Sequence, residues 1–140
     1  MLAVTSYSEV YVQLTAAKVD EQLAAYADLA AAVKGNPKAE AALAAFAPGY
    51  FNTALLALDH HFMHRMRGAE GKDGNPLNEV RMLSDSLMEN DGVLKENKTI
   101  KYKADKAVAG IAMGQAIAMD VETFGRLAKA YVEELGKRFP

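Results

Sequence analysis

The chain contains no cysteine and no tryptophan. The first absence excludes disulfides, thiolate nucleophiles and every Cys-ligated zinc or iron–sulfur site. The second leaves bulky packing to five Phe and six Tyr and removes the side chain that most often anchors a binding hot spot. An excess of one charge is missing as well. Sixteen Lys and Arg face eighteen Asp and Glu, for a net charge of −2 and a pI near 5.9, so the whole chain has no electrostatic pull toward nucleic acid or anionic membrane. No Gly-x-Ser-x-Gly elbow or Gly-x-Gly-x-x-Gly turn occurs, which removes support for common acyl-transfer and dinucleotide-binding folds. No segment is read as reaching the ~20 apolar residues of a membrane helix. The Met1–Val4 start has neither a basic flank nor an apolar run of signal-peptide length. A cytoplasmic protein without membrane contact is expected.

What remains is the composition of an ordinary globular domain, 51% hydrophobic and 24% charged over 140 residues. That length matches one domain with its own core, and residues 1–140 are expected to form a single helical domain. Ser6-Tyr7-Ser8-Glu9 reads as a capping box opening a long helix. Val12, Ala16, Val19, Leu23, Tyr26, Ala30 and Val33 alternate spacings of four and three, placing them on one stripe. That period suits either a bundle core or a dimer seam. Gly35-Asn36-Pro37 supplies a stop, an N-cap and a first helical residue in turn. A short Ala-rich helix is expected from Pro37 to Ala47, with a break or kink at Pro48-Gly49 and a third helix over Tyr50–Arg67. A bulk-free polar loop, Gly68–Gly74, then precedes Asn75-Pro76 and a fourth helix to Glu89.

Beyond Asn90-Asp91-Gly92 the period changes. Thr99–Lys103 alternates apolar and basic residues, and Ile111, Met113, Ile117 and Met119 share one parity. Gly110 and Gly114 weigh against a helix there, with a helical reading of 104–119 as the alternative. Asp120 caps a last helix, Val121–Arg138. The expected fold is therefore a four- to five-helix bundle with a small antiparallel β-hairpin before the C-terminal helix.

All three histidines fall in Asp59-His60-His61-Phe62-Met63-His64, just ahead of the Gly-rich loop. His60 and His64, four apart on a helix, would stack on adjacent turns and could share a divalent metal ion, the only cofactor the pattern suggests. Further ligands would have to be water or carboxylates such as Glu70, Asp73, Glu79 or Asp85. H-E-x-x-H is absent. His61 and Arg65 are placed on the flank of the buried stripe, where an arginine needs a carboxylate, with Glu79 or Asp85 as the expected donor. An anion or polar cluster of His61, Arg65, Lys72, Glu79 and Arg81 follows from the same placement, and His61 could serve there as acid or base. The Lys95–Lys106 segment, with Tyr102 inside it, has the make-up of a weak nucleic-acid strip. Its lysines equally suit protection of a sheet edge.

No catalytic constellation is complete, and whether the protein is an enzyme stays open. The best-supported expectation is a non-enzymatic oligomeric interaction or scaffold protein, a homodimer with room for a further protein partner. An enzyme using the His60/His61/His64/Arg65 cluster and nucleic-acid binding through Lys98, Lys101, Tyr102 and Lys103 are the alternatives, the last disfavoured by the acidic pI.

Overall fold

A computed structural model describes residues 2–140. Five helices occur among them: α1 Glu9–Val33, α2 Pro37–His61, α3 Arg67–Glu70, α4 Pro76–Glu89 and α5 Val121–Arg138. The four longer ones form a bundle. α1 lies beside α2 and α5, α4 lies beside α2 and α5, and α2 also meets α5 across the diagonal. The apolar stripes of these helices converge at the centre, where Phe51, Leu55, Phe62, Leu77, Leu83, Phe124, Leu127 and Tyr131 are almost fully buried. Each such side chain contributes about 1.5–3 kcal/mol by leaving water.

The caps explain most helix ends. Asn36, Asn75 and Asp120 each accept a backbone N–H from the first turn, and Pro37 and Pro76 occupy first-turn positions that need no donor. α1 begins two residues later than the capping-box reading placed it, because Ser8 rather than Ser6 accepts from Tyr11 N at 3.2 Å. The α1 stripe faces inward: Val12 and Val19 are buried, and Leu23 and Tyr26 pack on the core.

Two further helix boundaries differ from the expectation, and the segment expected as a loop over 68–74 opens with the single turn of α3. α2 runs unbroken through Pro48. A proline inside a helix forfeits one hydrogen bond and costs about 3 kcal/mol, but the burial of Ala47, Phe51, Ala54, Leu55 and Leu58 on one continuous face outweighs it. The same helix is long and apolar enough, by length and composition alone, to cross a membrane. α2 then ends at His61 instead of continuing to Arg67. Phe62 leaves helical geometry (φ −127°) and packs among Tyr7, Tyr11 and Tyr131. The freed backbone is taken up by the N-terminal segment, with Val4 N donating to His64 O and Met66 N to Val4 O, both at 2.8 Å.

The expected β-hairpin does not form. Among the described residues there are only isolated bridges, Val4 with Arg65 and Val93 with Ala116. The alternation in 99–103 is real as a burial pattern: Ile100 is buried, while Lys101 and Lys103 are exposed. No second strand lies alongside, however. Lys101 N donates to Lys72 O, Ile100 N to Asn97 O and Tyr102 N to Ile100 O, so the backbone is satisfied by turns and by the 68–75 loop. Positive φ at Gly110 and Gly114 bends what would have been the return strand. The segment between α4 and α5, about thirty residues and unusually long for an irregular connection, is held as a strap by buried Leu94, Ile100, Ile111, Ile117 and Met119.

Candidate functional site

The polar side chains singled out in the middle of the chain separate into two buried clusters and a set of exposed groups. The first cluster is centred on Glu70, which is fully buried on the single turn of α3. Arg65 Nε donates to Glu70 Oε1 at 2.7 Å and Arg81 Nη2 to the same oxygen at 2.6 Å. Arg81 Nε and Asn78 Nδ2 donate to Oε2 at 3.0 and 2.8 Å. Arg65 spends its remaining donors on Phe62 O, Leu77 O and the Tyr131 hydroxyl. Asp59 lies 3.0 Å from its Nη1 as an ion pair. The carboxylates that hold Arg65 are thus Glu70 and Asp59, in place of the expected Glu79 or Asp85.

Opposing forces set the protonation states here. Burial penalises the Glu70 carboxylate, but the hydrogen bond and charge of Arg81, the charge of Arg65 and the Asn78 amide hold its pKa below the ordinary range. Burial likewise works against the Arg65 cation, and Tyr131, Asp59 and Glu70 together carry its pKa above the usual value. Burial pushes the Tyr131 hydroxyl well above the usual tyrosine range. The shifts of Glu70, Arg65 and Tyr131 all lead away from neutral pH, so none of these three is poised for proton transfer.

The 71–75 loop closes the cluster from outside. Asn75 Nδ2 donates to Glu70 O and Asn78 Nδ2 to Gly71 O. Arg138 at the end of α5 reaches back to Glu70 O at 3.0 Å and Asp73 Oδ2 at 3.0 Å. Close approach requires glycine at 74, where a Cβ would collide with the Lys101 carbonyl oxygen, whereas one on Gly71 would meet only the movable end of the Arg138 side chain; both glycines have positive φ.

The second cluster belongs to Glu79. Its carboxylate is buried and accepts Val108 N at 2.9 Å and Ala109 N at 2.8 Å. Burial dominates and leaves the Glu79 pKa raised, against the pull of those two N–H groups and of Arg126. Glu79 is a fastener for the strap, together with Asn52, which donates to Ile117 O and accepts from Met119 N, and Ser86, which accepts from Lys95 N.

The histidines stand apart from both. His60 and His64 are exposed and no longer share a helical face, since α2 ends between them. Among the described residues, no group of three or more His, Cys, Asp or Glu side chains is placed to hold a metal ion. His61 is half-buried at the α1 side, its carbonyl accepting the Tyr11 hydroxyl at 2.7 Å. Burial, Lys18 and His60 lower its pKa. Lys72 is exposed and offers only its carbonyl, to Lys101 N. His64, Arg67 and Arg81 line a shallow depression of about 300 Å³ floored by Arg65. Lys95, Lys98, Lys101, Lys103 and Lys106 are exposed, but Tyr102 is turned inward, donating to Ile111 O at 2.6 Å. The strip therefore lacks a free aromatic for base stacking.

Sequence reasoning missed Glu70 as the hub and Asn52, Asn78 and Tyr131 as its supports or counterparts. Their only sequence signal was a polar residue inside, or beside, an apolar helical stripe. The chain matches no protein-family model, no curated protein and no solved structure.

Proposed function

We propose that this chain is a non-enzymatic helical protein that works by association, first with a second copy of itself. The observation that carries this reading is the contrast between its two kinds of surface. The dense polar cluster is closed: every nitrogen of Arg65 has a partner, and Glu70 is shared by two arginines and an amide. Such a network stores specificity, and it leaves no nucleophile or base facing a substrate. The outer helical surface is the opposite. Val10, Leu14 and Phe46 are 69%, 59% and 58% exposed, and an apolar groove of about 840 Å³ runs between α1 and α5 over Val19, Leu23, Val121 and Val132. Exposed apolar side chains and an apolar groove of this kind suit protein contact.

Static light scattering on the full chain tests it. At about 100 µM, where an interface of micromolar affinity is saturated, the expected mass is twice the 15.1 kDa of one chain. A single-chain mass at that concentration contradicts the homo-oligomer.

A further inference from the structure

Residues Ala41–Leu58 of α2 carry no charge at all. Only 28% of the helix's most apolar eighteen-residue window is buried, because the bundle uses one face, through Phe51, Leu55 and Leu58. On the other side Ala39, Ala42, Phe46, Gly49, Thr53, Leu56 and His60 follow spacings of three and four in strict alternation. That spacing puts them on one stripe of the helix, with Phe46 and Leu56 as its large apolar residues. Ala42, Phe46, Gly49, Thr53 and His60 are exposed, and Ala39 and Leu56 half-buried.

We infer that this outer face of α2 is the interface through which two copies of the chain pair antiparallel, with the two-fold axis near Gly49. The inference rests on the homo-oligomer reading above and assigns it a surface. Self-complementarity carries it. An axis at Gly49 sets Phe46 of one copy against Thr53 of the second and Leu56 against Ala42, so a large side chain meets a small one in the layers on either side of the crossing. The helices cross where neither has a side chain, and a Cβ at Gly49 has nothing within 4 Å to meet in one copy alone. No charge on the seam from Ala41 to Leu58 has to be desolvated.

Area agrees. The outward layer of α1 and α2, each 25 residues, is about 37 Å long and about 20 Å wide, or about 740 Å². A standard interface buries about 800 Å² per partner. The α2 seam alone falls short of that, so pairing must also engage exposed α1 residues such as Leu29. A lipid bilayer is a poorer occupant, because α2 would have to withdraw Phe51, Leu55 and Leu58 from the core to enter it.

The absence of native cysteine makes a direct test. In the full chain, Gly49→Cys is expected to give a covalent dimer on mild oxidation, since two-fold pairing brings the Cα atoms within the about 4.4–6.8 Å a disulfide spans. Val132→Cys, in the α1–α5 groove, is expected to stay uncrosslinked. Phe46→Glu is expected to keep its far-UV circular dichroism while its dimer dissociation constant rises at least about tenfold. A dimer that survives Phe46→Glu and crosslinks through Val132→Cys overturns this surface and leaves the homo-oligomer reading standing. A wild-type monomer removes both. A monomer that floats with phosphatidylcholine/phosphatidylglycerol vesicles, with flotation lost in Phe46→Glu, overturns the pairing in favour of a bilayer.

Discussion

Replacing Glu70 by alanine should be among the most damaging single substitutions in this chain. Glu70 is 0% exposed, and its partner Arg65 is 2% exposed. Truncation removes the acceptor of Arg65 Nε (2.7 Å), Arg81 Nη2 (2.6 Å) and Asn78 Nδ2 (2.8 Å) together. Asp59 stays within 3.0 Å of Arg65, and the partly exposed Arg81 can turn toward water. Arg65 cannot turn, since its guanidinium is enclosed by Phe62 O, Leu77 O and Tyr131. Breaking a buried pair from one side costs about 3–5 kcal/mol, against a total stability of about 7–15 kcal/mol for a chain of this length. Urea unfolding followed by far-UV circular dichroism reads the loss. With a slope of about 2 kcal/mol per molar urea, the midpoint should fall by about 1.5–2.5 M. Glu70→Gln keeps the shape and one acceptor oxygen and should fall between alanine and wild type. A loss below about 1 kcal/mol for Glu70→Ala would refute the claim that this network clamps α3, α4 and α5 together.

Glu79→Gln keeps only one acceptor for two buried N–H groups and should cost about 1–3 kcal/mol. Hydrogen exchange should quicken at Val108 and Ala109 while the helices stay protected, and uniform protection across the strap would contradict its role as a fastener. Gly74→Ala should destabilise by more than about 1 kcal/mol, the scale of a glycine replaced at positive φ, whereas Gly136→Ala on α5, with nothing within 4 Å, should stabilise by about 0.5–1 kcal/mol; equal effects in thermal melts would contradict the close approach to Lys101. The two carboxylates have opposite signs against pH. The depressed Glu70 pKa gives stability that is present above the ordinary glutamate range and lost as pH falls through the folded value. The raised Glu79 pKa makes its ionisation costly to the fold, so its share of stability rises as pH drops from the folded value toward that range. Glu70→Gln should therefore flatten the acid limb of the urea-midpoint profile, and Glu79→Gln should not.

The helical part of this fold was legible where local chemistry decides it. Asn36-Pro37, Asn75-Pro76 and Asp120 place the starts of α2, α4 and α5 without tertiary information, and the α1 stripe shows which side is buried. Long-range contacts override local signals elsewhere. Pro48-Gly49 reads as a break, and only the burial of Phe51, Leu55 and Leu58 keeps α2 whole. The alternation of Ile100, Lys101, Tyr102 and Lys103 records which side chains are buried; it carries no information on whether a partner strand exists, and Glu79 and Asn52 take the backbone bonds that a second strand would have made. Arg65 was legible as a buried cation in need of a carboxylate. Its partner was not, because Glu70 sits in what reads as a featureless glycine loop and reaches Arg65 only through the turn made by Phe62. The pairing of His60 with His64 fails for the same reason: the helix ends between them.

Sedimentation equilibrium of the wild-type chain beside Glu70→Gln and Phe46→Glu, from about 1 to 200 µM, bears most directly on whether this protein works through its outer helices. Wild type and Glu70→Gln should both approach twice the chain mass as concentration rises, with Phe46→Glu needing at least about tenfold more protein to reach the same mass. A wild-type chain that stays at 15.1 kDa throughout would contradict it.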